Sequence, residues 1–72
     1  MNIYNQFKKE NNLINFFIIE KTDSYINFSF LSDKEITKEK LNDYFDIPDI
    51  QIKIIKINTF NKLIYHNIIF EF

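Results

Sequence analysis

The chain contains a single histidine, His66, no cysteine and ten acidic residues. Any chemistry it performs must therefore be built from one imidazole, carboxylates, lysines and tyrosines. An imidazole works as a general base or a metal ligand only beside positioned partners. The sequence neighbours of His66 are Tyr65 and Asn67, which supply neither role, so His66 reads as a satisfied histidine in the core or at its edge. Asp33, Glu35, Glu39, Asp43, Asp46 and Asp49 contain the makings of an acid and base pair. They fall, however, on one helical segment and its flanks, where a solvated face is the ordinary use of charge. With no glycine there is neither a Gly-rich phosphate loop nor a G-x-S-x-G nucleophile turn. These residues point to a chain that is not an enzyme and uses no metal or cofactor.

Binding chemistry is the stronger signal. In IQIKIIKIN, residues 50–58, Ile50, Ile52 and Ile54 follow the period of two expected of a half-buried strand, whereas Ile55 and Ile57 continue on the opposite parity. Either a β-bulge near Ile54 and Ile55 returns Ile57 to the core, or the second face of the sheet is apolar and marks an interface. On the second reading Lys53, Ile55 and Ile57, with Tyr65 and Ile69 from the neighbouring strand, form a protein-binding strip. A second candidate surface is acidic, comprising Asp33, Glu35, Glu39, Asp43 and Asp46. Such a helix imitates a nucleic-acid backbone and occupies a partner's basic groove, as some small phage inhibitors do. A third uses Lys53, Lys56 and Lys62 with Tyr65 and Phe60 as stacking surfaces for nucleic acid. The formal net charge of −1 and the absence of Arg argue against it.

The elements that must position these residues are legible from turns and caps. LINFFIIE (13–20) and SYINFSFL (24–31) are rich in strand-forming Ile, Phe and Tyr, and the polar residues 21–23 join them as a hairpin. A second hairpin pairs residues 50–58 with 62–72, with Asn61 supplying a left-handed turn residue. Between the hairpins a helix starts at one of two N-caps. Ser32 would form a capping box with Glu35, and Thr37 would let Ile36 staple to Leu41. Leu41, Tyr44 and Phe45 make its apolar stripe, and Pro48 holds Ile47 out of helical geometry. Ile3, Tyr4 and Phe7 have helical spacing ahead of Asn11 and Asn12, so a short helix opens the chain.

The expected fold is thus one small α+β domain over residues 1–72, in the order α-β-β-α-β-β. Its four-stranded antiparallel sheet has one or two helices on one face. The covered parity is expected to hold Ile14, Phe16, Ile18, Ile26, Phe28, Phe30, Ile50, Ile52, Ile54, Ile64, Ile68, Phe70 and Phe72, with His66 as its polar member. The opposite parity, which includes Leu13, Phe17, Leu31 and the candidate strip, is mixed. The element order resembles that of the LAGLIDADG homing endonucleases, whose halves carry an acid at a helix end, and Glu10 and Asp46 fall at roughly such places. The small residues that let paired helices touch are missing here and the chain is short, so the resemblance stays one of topology.

Composition sets the outer bounds. A chain of 72 residues buries only about 60% of its unfolded surface, and this one has no disulfide to compensate. Dense apolar packing, self-association or a partner must do so. The abundance of Ile, Asn, Lys, Phe and Tyr reports AT-rich codons, hence a low-GC genome such as that of a bacterium, phage, symbiont or organelle. Phe16 to Ile19 is far short of the roughly 20 apolar residues that span a bilayer, and the first residues lack a targeting pattern. The expectation is a cytoplasmic, non-membrane module that binds a protein partner or its own copies. It acts by occlusion or assembly, in one form as a phage or mobile-element inhibitor of a host defence protein. The alternatives are a nucleic-acid or ribonucleoprotein component and an accessory subunit of a larger assembly.

Overall fold

The computed structural model describes residues 2–72. The chain runs α1 (Ile3–Glu10), β1 (Ile14–Lys21), β2 (Tyr25–Ser32), α2 (Lys38–Phe45), a single 3₁₀ turn (Asp49–Gln51), β3 (Ile52–Phe60) and β4 (Leu63–Glu71). This is the expected α-β-β-α-β-β order in a small α+β unit.

Both helices are closed by side chains that the sequence offers locally. Asn2 caps α1 by accepting the Asn5 N–H at 3.0 Å, and Lys8 and Lys9 in its last turn complement the helix dipole. Of the two candidate caps for α2, Thr37 is the one used, its hydroxyl accepting the Lys40 N–H at 3.2 Å. Ser32 is instead the last residue of β2 and is buried. Ile36 and Leu41, the staple pair of the Thr37 cap, are both buried in the core. Asp46 ends α2 in the left-handed region at φ 53°, the place glycine usually takes.

The sheet order is β1-β2-β4-β3, antiparallel throughout. The two hairpins therefore lie side by side, with β2 and β4 in the middle and β1 and β3 at the edges. In the first hairpin the Thr22 hydroxyl accepts the N–H groups of Ser24 and Tyr25. In the second, Asn61 and Lys62 both have positive φ, 52° and 68°, the two-residue type I′ geometry whose twist matches antiparallel strands. Asn61 does what the sequence suggested; Lys62 adopts the same region without a side chain suited to it.

Both helices cover one face. Phe7 from α1 and Leu41 from α2 meet Ile26, Phe28, Phe30, Ile52, Ile68 and Phe70 from the sheet, with Leu13, Ile36 and Ile47 closing the margins. Phe7 sits between Tyr44 and Phe45, with ring centroids 4.9 Å away in each case, so aromatic packing replaces the small residues that usually let helices approach.

Four expected core residues are exposed instead, and Ile54 and Ile64 are only half-buried outside the core cluster. Ile14 and Leu13 exchange places because Asn15, at φ 52°, makes a bulge in β1. Ile14 pairs with Leu31 on the uncovered face, and Leu13 turns inward and is buried. Ile18 keeps the covered parity opposite Phe28 but is 45% exposed. Each helix has eight residues, roughly 12 Å of length, too little to roof an edge strand from end to end. Ile50 belongs to the 3₁₀ turn that follows Pro48, not to β3, and is 86% exposed. Phe72, just past β4, keeps the helix side, where it lines a groove with Ile3, Tyr4 and Phe70, but at the end of the sheet it remains exposed.

Candidate binding face

The uncovered face of the sheet is defined by its cross-strand rows. Reading from β1 to β3, one row is Glu20, Asn27, Ile69 and Lys53; the next is Phe17, Ser29, Asn67 and Lys56; the third is Ile14, Leu31, Tyr65 and Asn58. Phe60 and Leu63 pair beyond the third row, and Tyr25 and Glu71 pair beyond the first. No helix packs on these side chains.

Of the five residues expected to form a binding strip, four share this face. Lys53, Ile55 and Ile69 line a shallow groove of about 400 Å³ with Glu20, Tyr25, Asn27 and Glu71, and Tyr65 lies two rows along. Ile57 does not join them. The register of β3 slips between Ile54 and Lys56, so Ile55 is the inserted bulge residue and Ile57 pairs with His66 on the helix side. A single extra residue reverses the parity of everything that follows. The doubled isoleucines of the sequence thus divide between the faces, Ile55 on the uncovered one and Ile57 on the helix side, where it stays 39% exposed and outside the core.

The structure adds residues that periodicity undervalued. Phe17 is 61% exposed and Phe60 68% exposed on the uncovered face, and Ile14 joins them through the Asn15 bulge. The signal in the sequence was Asn15 itself, a residue that tolerates positive φ in the middle of an apolar strand. The face is otherwise polar and internally bonded. Lys53 Nζ lies 2.8 Å from Glu71 Oε1. The Tyr25 hydroxyl donates to Glu20, and that bond raises the Tyr25 pKa above its ordinary value. Asn67 donates to the Asn27 side chain at 2.6 Å and to the Phe28 carbonyl at 3.2 Å. These bonds hold the central polar groups flat between the apolar ones.

Residues of the candidate acidic surface line several grooves around α2. Glu39 and Asp43 line a groove along α2 with Thr37, Lys40 and Tyr44. Asp33 lines a smaller polar cavity of about 160 Å³ that also contains Lys34, Lys40 and Glu10. Asp46 lies in a third, mainly apolar groove with Ile3, Tyr4 and Phe45, and Glu35 is close enough to His66 to act on its charge. The same geometry separates Glu10 from Asp46, because the end of α1 meets the start of α2 and the end of α2 meets the start of α1. Glu10 instead accepts a hydrogen bond from the Tyr44 hydroxyl. Burial and then that bond push the Tyr44 pKa up to about 12.

His66 is fully buried and has a partner on each nitrogen. Nε2 accepts the Ile36 N–H at 2.9 Å, which leaves the proton on Nδ1 to be donated to the Ile64 carbonyl at 3.1 Å. Its ring stacks on Phe30 with centroids 4.7 Å apart. The imidazole therefore ties the segment before α2 to the central strand β4. Burial lowers its pKa. Among the described residues no three His, Cys, Asp or Glu side chains are grouped as a metal would require, and no helix is long and apolar enough to cross a membrane. Compared with protein-family models, curated proteins and solved structures, the chain matches none.

Proposed function

We propose that this chain is a non-enzymatic protein-binding module that acts by occlusion or assembly through the uncovered face of its sheet. The observation that carries the reading is the exposure of Ile14, Phe17, Ile55 and Phe60 together on the face opposite the helices. They form two apolar edges, on β1 and on β3, around a polar centre, and exposed apolar surface of this extent on one face of a small domain supports an interaction site. Each 100 Å² of it removed from water contributes about 2.5 kcal/mol. A phage or mobile-element inhibitor of a host defence protein is one form of this function, and an accessory subunit of a larger assembly is another; both use the same surface. Nucleic acid is disfavoured on this face because Lys53 and Lys56 are balanced by Glu20 and Glu71, with Lys53 held by Glu71. Little net charge is left to release counterions from phosphates.

Two lysine substitutions and site-specific crosslinking test the reading. Ile55→Lys, at a position 54% exposed, leaves the circular dichroism spectrum unchanged and weakens association, whereas Ile52→Lys, at a position 1% exposed, abolishes folding. A photo-crosslinker at position 17 captures protein, and one at position 39 on α2 does not. Capture from position 39 alone would move the site to the helices and end this proposal.

A further inference from the structure

We infer that the uncovered face is self-complementary and that its occupant is a second copy of this chain, packed face to face about a two-fold axis that runs parallel to the strands between β2 and β4. The inference rests on the proposed use of this face and adds the identity and orientation of the partner.

The sheet order supplies the argument. In β1-β2-β4-β3, a two-fold axis along the strands sets β1 over β3 of the second copy and β2 over β4, and it keeps each cross-strand row over itself in reverse. The row Glu20, Asn27, Ile69, Lys53 then places the Glu20 carboxylate over the second copy's Lys53 ammonium, and the symmetry repeats this pair at the opposite edge. In the row Phe17, Ser29, Asn67, Lys56, the exposed Phe17 ring receives the Lys56 cation, a cation–π arrangement, and Ser29 meets Asn67. In the third row Leu31 lies over Tyr65. Stacked sheets sit about 10 Å apart, a gap that a Glu and a Lys side chain close between them.

The alternative axis, across the strands, sets each strand over its own copy. It brings the Lys53 and Lys56 strand over the same strand of the partner and removes every opposite-charge pair of the first arrangement. The order of charges along the rows therefore selects the axis parallel to the strands.

The area is sufficient for a dimer of modest affinity. Four strands at a spacing of about 4.8 Å and eight residues at about 3.3 Å each give a face of roughly 500 Å², hence roughly 1,000 Å² over both copies. That is the lower limit for a specific interface. Self-association also answers the weakness of a 72-residue chain without disulfides, whose stability margin is thin when alone.

The test is charge reversal followed by sedimentation equilibrium at low salt, on the full chain, with circular dichroism as a control for folding. The wild type is expected to dimerise. Glu20→Lys and Lys53→Glu, each made singly, are expected to weaken the dimer roughly tenfold, since each reversal turns two attractive pairs repulsive. The double variant is expected to recover the wild-type constant, because Lys at position 20 again faces Glu at position 53. Each side chain also has a partner within its own chain, Tyr25 for Glu20 and Glu71 for Lys53, so the circular dichroism control is applied to both single variants. A wild type that stays monomeric at about 0.2 mM overturns the dimer, and the broader protein-binding reading then stands or falls on the position-17 crosslink. A dimer insensitive to the single reversals, or one that the double reversal fails to restore, overturns the axis.

Discussion

His66 makes the fold sensitive to acid, and the size of the effect follows from its two hydrogen bonds. The imidazole is fully buried, accepts from the Ile36 N–H at Nε2 and donates to the Ile64 carbonyl from Nδ1. Protonation places a hydrogen on Nε2 where the Ile36 N–H already points, so one bond is lost and a buried donor is left without an acceptor. That cost is about 1 to 3 kcal/mol, before the burial of the new charge is counted. The unfolded chain takes up the same proton near pH 6.5, whereas in the folded chain burial lowers the pKa against the opposing pull of the Ile64 carbonyl and Glu35. The unfolded state thus binds more protons in the interval between the two values. Stability is complete above about pH 6.5, falls by up to about 1.4 kcal/mol per pH unit as acid is added, and levels off below the folded pKa. Urea denaturation followed by circular dichroism between about pH 7.5 and pH 5 measures this slope, and an NMR titration of the His66 ring locates the folded pKa. His66→Gln retains an acceptor for Ile36 and carries no titratable proton, so it should remove the slope. The reasoning is refuted if His66→Gln loses stability with falling pH as steeply as the wild type, or if the folded ring titrates at or above the ordinary histidine value.

Two other substitutions probe the core and the second turn. Phe28→Ala empties a fully buried site among Tyr4, Phe16, Phe30 and Phe70; it should cost about 3 to 5 kcal/mol, and an unchanged melting curve would contradict the packing described. Lys62→Gly relieves a non-glycine residue at φ 68° and creates the Asn-Gly pair that type I′ turns prefer. It should raise stability by about 1 kcal/mol in thermal denaturation, and a loss would show that the Lys62 side chain contributes more than its backbone strain costs.

Features that depend on near neighbours in the chain were legible in the residues alone. The hairpins, the two short helices, the Thr37 cap as one of two options and the left-handed Asn61 are set by side chains within a few residues of the backbone they bond or release. The satisfied role of His66 was also legible, because no chemistry-bearing residue lay beside it, although its partner Ile36 lies thirty positions away. Tertiary structure decided which way the edge strands face. A strand's alternation is local, but a bulge is fixed by the strand it pairs with, and one inserted residue reverses all that follows. Hence Leu13 entered the core in place of Ile14, and Ile57 moved to the helix side of the sheet, though still exposed, while Ile55 stayed on the other face. The helices' reach was decided at the same level: eight residues are enough to cover Phe28 and Phe70 on the central strands and too few to cover Ile18 at the edge. The order of the strands was likewise beyond local reading, since setting β2 beside β4 requires the two hairpins to meet. That meeting places Glu20 and Lys53 in one row, at opposite edges of the uncovered face.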